Sequence, residues 1–127
     1  MLENGFNQEY MNKRLPDVGY RMYILVKETV PLGHQVNGVA HAAYACAKQF
    51  GNDTRCIEWE RTSFRKITLS VSEETFEFAK SLSDRVVMTE SSLKDDNGNP
   101  IETVICFCPR LKEDYPKKFR YLKLFGS

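Results

Sequence analysis

The chain has 127 residues, 42% of them hydrophobic and 28% charged, the size and make-up of one compact domain with no room for a second. Eighteen Lys and Arg against 17 Asp and Glu leave a net charge of +1, which excludes a polybasic or polyacidic character for the chain as a whole. No window approaches the roughly 18 uninterrupted apolar residues of a membrane-spanning helix, and the amino terminus lacks the apolar core of a secretory signal, so a cytoplasmic protein with no membrane contact is expected.

Residues 1–19 are polar and broken by Gly5, Pro16 and Gly19, which reads as an amino-terminal arm before a single domain over residues 20–127. Arg21 to Lys27 is an apolar run of β formers and predicts a central strand buried on both faces. Pro31 and Gly33 break the chain. From Gln35 to Phe50 the alanines predict a helix that lies close to a sheet, with Val36, Val39, Ala43, Ala47 and Phe50 as its inward stripe. Gly51 to Ser63, which holds the single tryptophan, Trp59, reads as the least structured internal stretch.

Arg65 to Ser72 alternates, with Ile67, Leu69 and Val71 on one side, and predicts a strand. Ser72 is placed to cap a short helix whose first residues, Glu73 and Glu74, suit its positive end. Arg85 to Thr89 and Thr103 to Pro109 form two more strands, joined as a hairpin through the turn residues Asp95 to Pro100. Glu113 to Phe125 mixes aromatics with Lys and Arg and predicts a short amphipathic helix that closes one edge. The order β-α-β-α-β-β-α predicts a three-layer α/β/α sandwich around a mixed sheet of four or five strands. The four cysteines form no C-x-x-C pair, so reduced, structural thiols are expected and Cys46 reads as a core thiol.

Ligands of an open α/β sheet collect at the carboxyl ends of its strands. The first such junction, Lys27 to His34, leads through Gly33 into a helix start whose unpaired N–H groups suit a phosphate or a carboxylate. On a helical wheel His34, Asn37 and His41 fall within about 60° of one another, and two imidazoles with an amide can bind an anion, shuttle a proton or ligate a metal. Against this, a histidine on an alanine-rich helix reads first as a hydrogen-bonded packing residue, here His41, with His34 exposed in the loop. A metal is not expected, because the histidine spacing is not H-E-x-x-H and no third ligand is evident; no cofactor is implied.

The second junction is Thr89-Glu90-Ser91-Ser92, where Glu90 and Glu28 form either a carboxylate pair or two solvated side chains. Near the carboxyl terminus Lys112, Lys117, Lys118, Arg120 and Lys123 interleave with Tyr115, Phe119, Tyr121 and Phe125, a composition shared by nucleic-acid-binding segments and solvated helix faces. Lys27, Glu28, His34 and Glu90 are thus the candidate catalytic residues, and Gly33, Asn37, His41, Thr89 and Ser91 the candidate substrate-binding residues.

The segments Met22-Tyr23-Ile24-Leu25-Val26-Lys27-Glu28-Thr29-Val30-Pro31-Leu32-Gly33 and Asn37-Gly38-Val39-Ala40-His41-Ala42-Ala43 resemble the opening of the second type of peptidyl-tRNA hydrolase, and most closely its uncharacterised bacterial relatives, the DUF2000 group. The likeness runs from about Arg21 to Pro109 and is topological after the first fifty residues. It implies a small α/β/α domain and cleavage, without a metal, of the ester joining a peptide to tRNA. Of the family's site residues the helix histidine alone maps directly, to His41; His34 replaces the basic residue after the glycine, and Glu90 stands displaced from the acidic loop residue. Glu90 or His34 would position water, and Lys27 or backbone N–H groups would stabilise the oxyanion. Two further readings stay open: a non-catalytic module for a small anionic ligand or an RNA end, and a homodimeric interaction protein that uses the arm and the aromatic carboxyl terminus.

Overall fold

The computed structural model describes residues 13–127, so the first twelve residues of the expected arm lie outside the described part. Residues 13–19 run along the rest of the chain: the Leu15 N–H donates to the Arg61 carbonyl at 2.8 Å, and Asp17 pairs with Arg21 at 2.9 Å.

Strand β1 (Tyr20–Lys27) is buried from Arg21 onward, as its unbroken apolar run requires. It is followed by α1 (Leu32–Gln49), α2 (Thr54–Arg61), β2 (Lys66–Val71), α3 (Glu73–Lys80), the hairpin β3 (Arg85–Lys94) and β4 (Pro100–Phe107), then β5 (Arg110–Leu111) and β6 (Lys123–Leu124). The sheet runs β3-β4-β1-β2-β6, with β5 beside the start of β1. Strands β1 and β2 are parallel, while β4 is antiparallel to both β1 and β3. The result is a mixed sheet in an α/β sandwich, as the element order predicts.

Alternation along β1 sends Met22, Ile24 and Val26 to one face, where they pack with Ala42 and Cys46 of α1 and Cys56 and Trp59 of α2. Tyr23 and Leu25 face the other way and pack with Phe76 and Ala79 of α3 and with Tyr115 and Phe119. Two half-cores on one sheet explain why the central strand shows no polar alternation.

Four expectations need correction. Helix α1 begins at Leu32 rather than Gln35: the breakers Pro31 and Gly33 are tolerated at a helix start, where backbone N–H groups have no intrahelical acceptor. Its fully buried residues are Gln35, Gly38, Ala42 and Cys46; of the expected stripe Val39, Ala43 and Phe50 pack partly buried against the core, while Val36 and Ala47 are exposed. The reason is closeness: a Cβ on Gly38 would stand 2.8 Å from Val104 Cγ2, so the slimmest face of the helix lies on the sheet and Val36 is left 54% exposed. The stretch read as unstructured holds α2, whose cap, Asp53, accepts from the Arg55 N–H; the polar residues that ended one helix start the next.

The carboxyl-terminal segment is not an amphipathic α-helix. It forms two 3-10 turns, Lys112–Asp114 and Lys117–Tyr121, and then β6, because Pro116 supplies no N–H and Tyr115 and Phe119 are drawn into the second half-core. Tyr115 stacks on Tyr23 with ring centroids 4.2 Å apart, and its hydroxyl donates to the Arg21 carbonyl at 2.8 Å. The segment closes an edge as expected, through β6 on β2. All four cysteines are free and buried, and burial pushes the Cys56 thiol up to about 11 and that of Cys108 to about 12.

Candidate active site

The register brings the two predicted junctions to one end of the sheet. Val26 of β1 and Met88 of β3 both pair with Val104 of β4, so the exits of these two parallel strands lie level, with β4 between them. A shift in the β3–β4 register after Met88 sets Thr89 opposite Glu102 and Glu90 opposite Ile101.

Side-chain alternation then divides the candidates between the two faces. On the α1 face, His34 stands in the first turn of the helix rather than in the loop, and its Nδ1 is 3.3 Å from Glu90 Oε2. Glu90 also accepts the Ser92 N–H at 3.2 Å. That bond, the Ser92 hydroxyl and His34 together hold the Glu90 carboxyl below the usual carboxylate range. The contact sets Nδ1 beside the carboxylate; a ring whose Nδ1–H turns to that carboxylate presents Nε2 as the acceptor, the arrangement a general base needs.

Pro31 stands at the cap of α1 and gives no side-chain cap. The N–H groups of Leu32, Gly33 and His34 precede the first intrahelical acceptor, and a Cβ on Gly33 would meet nothing within 4 Å. This helix start is open, and its dipole favours negative charge.

On the α3 face, Lys27 is buried with its side chain 8% exposed, 3.2 Å from the 62%-exposed Glu73 and 4.5 Å above the Phe76 ring. It lines a cleft of about 500 Å³ with Thr29, Thr89, Asp95 and Glu102. Lys80 at 2.6 Å engages Glu102, and turn N–H groups, Asn99 foremost, lower the Asp95 carboxyl.

The structure thus joins His34 to Glu90, and separately Lys27 to Thr89. Glu28 is exposed in the turn after β1, and Glu90 is held by His34 and Ser92 rather than by Glu28. Ser91 is exposed beside Glu90, and Asn37 and His41 are exposed along α1. His41 is therefore not the packing residue that its alanine-rich setting suggests; the residues beside the sheet are smaller still. Tyr115 and Phe119 of the basic-aromatic segment are core residues and offer no stacking surface. Among the described residues no group of three or more His, Cys, Asp or Glu is placed to hold a metal ion.

Residues 20–125 match the family model of peptidyl-tRNA hydrolase PTH2. The chain belongs to that family. None of the curated proteins compared matches it. This peptidyl-tRNA hydrolase-like domain carries, at one end of its sheet, the contact between the His34 imidazole and the Glu90 carboxylate.

Two contributors escape sequence reasoning. Glu73 reads only as a favourable charge at a helix start, although it is also the partner of Lys27. Gln35 reads as the first residue of a helix, although its amide reaches back to the carbonyls of Lys27 at the end of β1 and of Glu28 and Val30 in the loop. No local pattern announces either, because each pairing depends on how two elements meet.

Proposed function

We propose that this protein hydrolyses the ester that joins a peptide to tRNA, with water activated by His34 on the α1 face. Glu90 fixes the ring, Nε2 takes a proton from water, and the water oxygen attacks the ester carbonyl carbon. The N–H groups at the start of α1 receive the oxyanion, the second of the two donor sets the sequence offers. Collapse breaks the acyl–oxygen bond, and the imidazolium gives its proton to the departing ribose oxygen, which leaves as the free hydroxyl. Gly33, Asn37 and His41, exposed along α1, and Ser91, exposed beside Glu90, would contact the substrate, and Lys27 and Thr89 would contact it from the cleft. Within the family the reading places the chain nearest the DUF2000 relatives, on Pro31-Leu32-Gly33 and Asn37, and in the cytoplasm.

The observation that carries this reading is the 3.3 Å contact between His34 and Glu90 beside an uncapped helix start. Incubation of the purified protein with an N-acetyl-aminoacyl-tRNA in the presence of a chelator tests it. Free N-acetyl amino acid and intact tRNA with a free 3′ end are expected. Binding of the substrate without turnover would replace the hydrolase by a binding module.

A further inference from the structure

We infer that Gln35 is a positioning residue for the proposed hydrolysis, its buried amide fixing the β1–α1 loop from within and thereby holding His34 against Glu90. This rests on the assignment of His34 as the base. A Ser, Thr, Asp or Asn cap would occupy the N–H of Gly33 or His34, the same donors that the oxyanion requires. Pro31 leaves them open, and a helix start without such a cap needs its restraint from elsewhere.

Gln35 supplies it. Its Nε2 donates to the Val30 carbonyl at 2.6 Å, with the Glu28 carbonyl at 3.3 Å and that of Lys27 at 3.4 Å. An amide has two hydrogens; the short bond to Val30 takes one, and the other is shared between Glu28 and Lys27. These carbonyls belong to the last residue of β1 and to the loop, and Val30 is itself buried. The backbone N–H of Gln35 donates to Pro31 at 3.0 Å, so one residue ties the strand end, the loop and the helix together.

The amide is chemically specific here. A carboxylate would set negative charge against three carbonyl oxygens, and an apolar side chain would leave them without this donor. Gln35 is 8% exposed and directly follows His34. Successive helical residues leave the axis about 100° apart, so anchoring Gln35 inward sets the direction in which His34 leaves toward β3. Gly33, on the other side of His34, has open space around it and restrains nothing. Glu90 is held independently by Ser92, so the contact forms between two ends fixed separately.

The chain contains only two histidines, His34 and His41, so imidazole NMR signals report on each directly. Glu90→Gln defines the signature of a released His34. Gln35→Met is expected to move the His34 signals in the same direction and leave those of His41 in place. The single-turnover rate constant should fall about 10- to 100-fold, as a misplaced base requires, with substrate affinity changed by less than about threefold. In a His34→Ala background Gln35→Met should bring no further loss. Gln35→Asn, which keeps the amide but withdraws it by one methylene, should behave like Gln35→Met and provides the readout if Gln35→Met does not fold. Unmoved His34 signals, or losses that multiply in the double variant, would overturn the inference. Because the ring signals need no turnover, failure of the hydrolase reading would be seen separately from failure of the positioning role.

Discussion

The ion pair of Lys27 and Glu73 predicts an asymmetry between its two partners. The Lys27 side chain is 8% exposed and that of Glu73 62% exposed, so only the cation carries a large desolvation cost. Glu73→Gln keeps the shape but leaves the ammonium with the Phe76 ring as its remaining neighbour of note. Removing one partner of a fully buried pair costs about 3–5 kcal/mol; with water at the Glu73 side the expected loss is about 1–3 kcal/mol. Glu74→Gln, in the same first turn of α3, removes only a favourable helix-end charge, worth about 0.3–1 kcal/mol. Lys27→Met removes the buried charge together with its need for a partner and should fall within about 1 kcal/mol of the parent, on the stabilising side. Urea unfolding at neutral pH, with the slope unchanged across the series, measures all three. Equal losses for Glu73→Gln and Glu74→Gln, or a Lys27→Met variant less stable than Glu73→Gln, would refute the reasoning.

Two glycines of α1 should respond with opposite signs. Gly38→Ala gains about 1 kcal/mol of helix propensity but drives a methyl to 2.8 Å from Val104 Cγ2, an overpacking cost of about 1–3 kcal/mol, so its melting temperature should fall; Gly33→Ala, with open space, should be stabilised by about 0.5–1 kcal/mol. Asp53 loses its charge in Asp53→Asn but keeps a capping side chain. The hydrogen bonds of the Arg55 side chain and N–H lower the Asp53 carboxyl from 3.8 to about 2. Its contribution is therefore complete above about pH 4 and lost as pH falls through about 2. The parent should exceed Asp53→Asn by about 1 kcal/mol at pH 7, with the gap closing between pH 4 and 2; a gap that persists at pH 2 would contradict the linkage.

The fold was legible wherever a single element carried its own signal. β1, the capped α3 and the β3–β4 hairpin announce themselves by burial pattern, capping residue and turn chemistry. The face of α1 was not legible, since hydrophobicity selects Val36 while the fit against Val104 selects Gly38. Tyr115 and Phe119 were hidden by the lysines around them, because charge on neighbouring residues says nothing of which ring finds the core. For the candidate site, the rule of strand carboxyl ends points to both junctions, and His34 and Glu90 lie within them. What the chain alone could not give is the division of the candidates by the sheet, which sends Lys27 to the α3 face and the His34–Glu90 pair to the α1 face. That division follows from strand order and register, which depend on contacts distant in sequence.

The central claim is that His34, held by Glu90, is the base for ester cleavage. Its most direct test is the single-turnover hydrolysis of N-acetyl-aminoacyl-tRNA by the parent and by His34→Ala under saturating protein. Loss of a general base predicts a rate lower by about 10²- to 10⁴-fold with binding retained, and an intermediate loss for Glu90→Gln, which keeps the imidazole but not its anchor. Equal rates for the parent and His34→Ala would contradict the account.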